Sequence, residues 1–168
     1  FVINSADVSA HSHGTHVAGT VGAVNNNGVG VAGVAGGDGN GGVKMISCQI
    51  FDNRSGADAN YAGALIYAAD MGASIAQCSW GWDADGYYEQ AVLDAIDYFT
   101  QFGGGEKMHG GLCIFANGNT GDEGDYYPGC YEKVVAVGAM DPMKHPASYS
   151  SYGDWCDVTA PGGNEDYG

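Results

Sequence analysis

Short apolar runs alternating with segments of helical periodicity restrict this chain more than any other feature of it. Residues 43–51 are apolar along most of their length, on both faces, and residues 74–80, 112–116 and 134–140 read as further strands. A strand of that kind needs cover on both sides, which a parallel sheet flanked by helices supplies. The intervening segments have the right periodicity to be that cover. Residues 60–71 place Tyr61, Ala64, Leu65, Ala68 and Ala69 at helical spacing and close on Gly72, a good residue just past a helix end. Residues 88–102 put Val92, Leu93, Ile96 and Phe99 on one face and stop at Gly103-Gly104-Gly105. Ahead of them, residues 13–24 carry Val17, Ala18, Val21 and Val24 at the same spacing and end at Asn25-Asn26-Asn27-Gly28. Residues 29–35 read as a short extended piece, 36–42 as a glycine-rich loop and 52–58 as a polar loop. The expected fold is therefore α/β, three layers deep, with a mostly parallel sheet and helices on both faces. In such folds the working residues lie at the carboxyl ends of the strands. Three polar stretches fall there: Ser79-Trp80-Gly81, Asn117-Gly118-Asn119 and Pro161-Gly162.

Charge narrows the partners. Twenty acidic residues against five Lys and Arg leave a net charge of -15, so no basic patch for nucleic acid can be assembled. No apolar run reaches the length that crosses a membrane. Of the five cysteines, Cys48, Cys78 and Cys113 sit in apolar runs and read as buried thiols, whereas Cys130 and Cys156 have polar surroundings and could pair in an oxidising compartment.

The densest chemistry lies in His11-Ser12-His13-Gly14-Thr15-His16, three histidines in six residues at the mouth of the first helix. The cluster has three readings. The histidines could simply cap the helix. They could converge on zinc through the H-x-H-x-x-H spacing, which resembles the metal motif of metallo-β-lactamase-type hydrolases but has Thr15 where that family has Asp. Or one of them could be the base of a serine hydrolase, taking a hydroxyl proton while a carboxylate orients its other nitrogen.

The surrounding residues favour the third reading. Ser12-His13-Gly14-Thr15-His16-Val17-Ala18-Gly19-Thr20 matches the H-G-T-H-V-A-G-T signature of the subtilisin-like serine proteases without a mismatch. Ser79-Trp80-Gly81 resembles the family's Ser-Leu-Gly edge, and Ala116-Asn117-Gly118-Asn119 resembles its A-A-G-N. Tyr127-Pro128-Gly129, the run from Val134 to Ala139, Tyr149-Ser150-Ser151-Tyr152-Gly153 and Ala160-Pro161-Gly162 follow in the family's order, with an unusual insertion at residues 103–110.

The resemblance implies roles residue by residue. His13 would be general base and then acid, and Asn119 would donate its amide to the oxyanion. Ser79, Trp80 and Gly81 would bind the substrate backbone as an added strand, with Gly118 beside them. His16 would point into the fold, and His11 would be a surface residue. Tyr126 falls where the family's primary specificity pocket has its floor, and Trp80 replaces a smaller residue, so the pocket would be shallow or altered. Asn25-Asn26-Asn27-Gly28 resembles a calcium-wrapping loop, although no cofactor is required for the reaction and an ordinary Asn-Gly turn fits the same residues. The family's D-(S/T)-G and G-T-S motifs, which carry the triad's aspartate and serine, are not found in these 168 residues. Residues 1–168 are accordingly expected to be a partial peptidase domain, incomplete at both ends. By itself it should be inactive and prone to self-association. The resemblance further implies polypeptide substrates and an extracellular or cell-envelope location. An inactive peptide-binding module on the same fold, or a metal-dependent hydrolase using His11, His13 and His16, are the alternatives.

Overall fold

A computed structural model describes residue 8, residues 10–51 and residues 59–163. They belong to two compact units that divide between Ala64 and Leu65, inside one helix. In chain order the elements are α1 (Ser12–Gly22), α2 (Tyr61–Asp70), β1 (Ile75–Cys78), α3 (Gln90–Phe102), β2 (Leu112–Ala116), β3 (Val134–Met140) and β4 (Val158–Pro161). The polar loop expected at 52–58 lies outside the described residues.

The second unit is a four-stranded parallel sheet in the order β1-β2-β3-β4. Helix α3 packs against β2. It buries Val92, Leu93, Ala95, Ile96 and Phe99, the stripe that 3.6-residue spacing puts on one side. Cys113 and Phe115 of β2 and Ala136 of β3 are buried with them. The insertion at 103–110 closes on the end of α3. The Phe99 carbonyl accepts the N–H of Gly103 at 2.8 Å and of Gly111 at 3.0 Å, and the Gly104 N–H donates to Ala73 O at 2.8 Å. Leu112 N–H then donates to Ser74 O at 3.0 Å, which sets β2 in register beside β1.

In the first unit, α1 is closed by its own following loop. The carbonyls of Thr20, Val21 and Ala23, which a helix end leaves without partners, accept from Val34, Ala35 and Gly33 at 2.8–2.9 Å. Gly33 and Gly36 permit this approach, since a Cβ at either would meet the Ala23 backbone within 2.4 Å.

The structure departs from the sequence expectations in four places. Residues 43–51 form no strand: Val43 N–H donates to Ala35 O at 2.9 Å, but no ladder partner is present among the described residues. Val43, Met45, Ile46 and Phe51 are correspondingly 44–51 % exposed. An apolar run becomes a strand only where another strand receives its backbone groups. Conversely, β4 carries no apolar signal. It is exposed throughout and ends on Pro161, which an edge strand tolerates because one side of it has no ladder to fill. Residues 29–35 form no strand: 29–30 are bend, 34–35 turn, and 31–33 belong to no regular element. Finally, Cys48 is half-buried rather than buried, and Cys130 and Cys156 remain thiols. The Cys156 Sγ points to Val158 O at 3.6 Å and lies 4.0 Å from Asn117 Nδ2, a position fixed by its own turn rather than by a second cysteine.

Candidate active site

The histidine cluster is built around the N-terminus of α1. His11 is the N-cap, and its Nδ1 accepts the His13 N–H at 3.3 Å while its carbonyl accepts from Thr15 N–H at 2.9 Å. The expected surface residue therefore has a structural role, satisfying donors that the helix start leaves open. His13 follows in the first turn with its side chain exposed. His16, expected to point inward, is exposed as well. No residue of α1 is fully buried. Among the described residues no three His, Cys, Asp or Glu side chains are grouped to hold a metal.

Beyond α1, Asn26 and Gly28 take left-handed conformations, with φ of 59° and 71°, and Asn27 Oδ1 accepts from Val29 N–H at 3.0 Å. Residues 24 and 26–32 line a hollow of about 160 Å³. Beside it, Asn25 Oδ1 is buried with no hydrogen-bond partner among the described residues. Asn25 is not among the residues that line the hollow, and an orphaned amide oxygen is a donor of the kind that a hard cation such as calcium takes.

At the end of β2, two asparagines that look interchangeable in sequence have opposite environments. Asn117 is 4 % exposed. Its amide donates to the Ser151 carbonyl and, at 3.0 Å, to Ser150 Oγ. Asn119 is exposed, and its side chain has no hydrogen-bond partner among the described residues. Gly118, between them, sits at φ +105°, which only glycine adopts without strain. The buried amide is consumed by the fold; the exposed one is available to a ligand.

Ser79-Trp80-Gly81 continues from β1. Ser79 Oγ accepts from Gln77 Nε2 at 2.7 Å. Trp80 stands edge-on to Phe115 of β2 at 5.1 Å and to Trp82 at 5.9 Å, and Trp82 stands edge-on to Tyr87 at 5.6 Å. The large residue at 80 is thus held by packing against β2 and its neighbours. The segment after it is zipped to residues 125–127: Trp82 N–H donates to Tyr127 O at 3.0 Å, Gly86 N–H to Asp125 O at 2.9 Å, and Asp125 N–H to Asp85 Oδ1 at 2.7 Å. Tyr126 is buried, and its hydroxyl donates to Asp122 Oδ1 at 2.6 Å. Hydrogen bonds from Thr120 and then Tyr126 hold the Asp122 carboxyl below the usual range, and the Asp122 acceptor pushes the Tyr126 phenol up. Capping, one of the three readings of the histidine cluster, is what His11 does; missed at the sequence level was the network joining Asn117, Thr120, Ser150 and Ser151. The Ser-Ser pair inside a recognised motif was the available signal for the network.

The subtilase family model (peptidase S8) matches residues 4–168, and the chain belongs to that family. It is 37% identical over 164 residues to the thermophilic serine proteinase of Bacillus sp. (strain AK1), covering 96% of this chain and 37% of that protein. It is 32% identical over 164 residues to thermitase of Thermoactinomyces vulgaris, covering 96% and 53%. Among solved structures, the psychrophilic subtilisin-like protease Apa1 from the Antarctic psychrotroph Pseudoalteromonas sp. AS-11 superposes with a TM-score of 0.71 at 30% identity, covering 89% of this chain and 32% of that one. The fold is the three-layer α/β fold of these proteases. The chain spans about half, or less, of the length of the curated relatives it matches.

Proposed function

We propose that this chain is the central part of a subtilisin-type serine endopeptidase that cleaves polypeptides through an acyl-enzyme. The observation that carries the reading is the contrast at the end of β2: Asn117 is buried and tied, whereas Asn119 is exposed and unengaged. In this reading His13 takes the proton of the attacking serine and returns it to the leaving amine. Asn119 donates its side-chain N–H to the oxyanion of the tetrahedral intermediate. Ser79, Trp80 and Gly81 pair with the substrate backbone, and Gly118 gives the substrate close passage. Tyr126, buried and held by Asp122, favours small side chains in the adjoining pocket. The serine and the aspartate belong to motifs that these 168 residues do not contain. The loop at 24–32 would hold calcium through Asn25 Oδ1 and backbone carbonyls, stabilising the loop without entering the reaction. An extracellular or cell-envelope location is proposed for this chain.

The test uses the full-length gene product and a fluorogenic peptide. His13→Ala should abolish turnover. Asn119→Ala should lower kcat by about 10²–10³, a magnitude measured in a subtilisin and so borrowed from this family rather than derived. Residues 1–168 by themselves should show no hydrolysis. Undiminished activity in either variant overturns the corresponding assignment, and turnover by residues 1–168 that is lost in His13→Ala overturns the need for flanking motifs.

A further inference from the structure

The Tyr149-Ser150-Ser151-Tyr152-Gly153 motif contributes no group to the reaction itself, yet Ser151 is completely buried at 0 % exposure. A buried hydroxyl has to be bonded, and its partners show what it does. We propose that Ser151 is the positioning residue for the oxyanion donor, bracketing Asn119 from both sides. The proposal rests on the assignment of Asn119 as that donor.

The bracket is made of three contacts. Ser151 N–H donates to Gly118 O at 3.2 Å. Ser151 Oγ accepts from Thr120 N–H at 3.1 Å. The same Oγ lies 2.7 Å from Thr120 Oγ1. Either hydroxyl can be the donor in the Ser151–Thr120 contact. One residue therefore holds the backbone immediately before and immediately after Asn119. Gly118 is shaped to it: a Cβ there would stand 2.8 Å from Ser151 Oγ.

Ser151 is in turn fixed from behind. The Asn117 amide donates to its carbonyl, and Ser150 Oγ accepts both from Asn117 Nδ2 and from Ala139 N–H of β3, each at 3.0 Å. The turn that presents Asn119 is thus anchored to the ends of two adjacent strands. An amide side chain without bonds of its own can be preorganised for a developing charge only through its backbone, and Ser151 supplies that constraint. Removing the hydroxyl leaves the Gly118 contact intact. It also releases the donor and hydroxyl of Thr120, an exposed residue that water can satisfy. The fold should survive while the donor loses its aim.

The experiment is a double-mutant cycle in the full-length protease with a fluorogenic peptide. Asn119→Ala alone tests the underlying reading: unchanged kcat means that Asn119 is not the donor. Ser151→Ala should lower kcat by about ten- to a hundredfold, the scale expected when a catalytic group is misplaced by about 1 Å, with KM changed less than about twofold. In the Asn119→Ala background, Ser151→Ala should cost nothing further, because there is no donor left to aim. A merely structural role would instead multiply the two losses. Unchanged kcat in Ser151→Ala, or multiplied losses, overturns the proposal. If Ser151→Ala does not fold, Thr120→Val removes one of the two contacts on that side of the bracket, the hydroxyl–hydroxyl one, at an exposed position. It should give a severalfold loss of kcat that also vanishes in the Asn119→Ala background, and no loss overturns the proposal.

Discussion

Replacing Gly111 by alanine should destabilise the chain through a single contact, and a second substitution should cancel the effect. Gly111 precedes β2 and has no positive φ, so its backbone can carry a side chain. The space cannot: a Cβ there would lie 2.3 Å from Phe99 Cε1 and 2.6 Å from Cδ1. Carbon atoms in contact prefer about 3.5–4.0 Å, so the ring must move by roughly an ångström. Phe99 is fully buried and cannot swing into solvent. Overpacking of this kind costs about 1–3 kcal/mol. Stiffening of the unfolded chain by Gly→Ala offsets about 0.4–1 kcal/mol of it. A net loss of about 1–2 kcal/mol is a visible fraction of the roughly 5–15 kcal/mol that holds a domain. Phe99→Leu removes the ring edge at a cost of about 1 kcal/mol, and in that background Gly111→Ala should cost almost nothing. Urea denaturation followed by circular dichroism measures all four proteins. A coupling of at least about 1 kcal/mol is expected; losses that add to within about 0.5 kcal/mol would refute the steric argument. The pair joins the end of α3 to the start of β2, the strand that delivers Asn119.

Two further outcomes follow from the buried Cys113 thiol and the orphaned Asn25 amide. Burial pushes the Cys113 thiol up to about 12 from an ordinary value of 9.0. Above pH 9 the unfolded chain loses this proton while the folded chain keeps it, so the contribution is complete below pH 9 and falls by about 1.4 kcal/mol per pH unit towards 12. The urea midpoint should therefore drop between pH 8 and pH 10 by less in Cys113→Ala than in the parent, and equal drops would refute the burial argument. Calcium should raise the melting temperature of the full-length protein, the stabilisation reaching about 2.7 kcal/mol at a hundred times its dissociation constant. Chelation should reverse the shift and Asn25→Ala should remove it; a parent protein indifferent to calcium would refute the fit of the loop.

How legible these features were depends on whether their cause is local. Strands β2 and β3 fall where the apolar runs place them, because burial on both faces is written into each segment. Residues 43–51 have the same pattern and no ladder, while β4 has a ladder and no pattern. Pairing is a property of two segments, and a single segment does not encode it. At the site, the sequence offers an asparagine on either side of Gly118, and it is their surroundings in the fold that separate them: Asn117 is buried and bonded, Asn119 exposed. The bracket from Ser151 was not legible, because it joins residues about thirty positions apart. His16 was misplaced for a related reason: spacing gives the face of a helix but not what covers it.

The two candidate catalytic groups are each prepared by bonds inside their own unit. His13 stands on a helix whose start is capped by His11 and whose end is closed by the backbone of residues 33–35. Asn119 stands on a turn pinned by Ser151, itself fixed by Asn117 and Ser150. If catalysis needs both groups held to within about half an ångström, each brings its local order with it. Such local order predicts that the Ser151 bracket persists in residues 1–168 by themselves. Amide hydrogen exchange should show the Thr120 N–H protected in that chain and released in Ser151→Ala; equal exchange in both would mean that the turn is ordered from elsewhere.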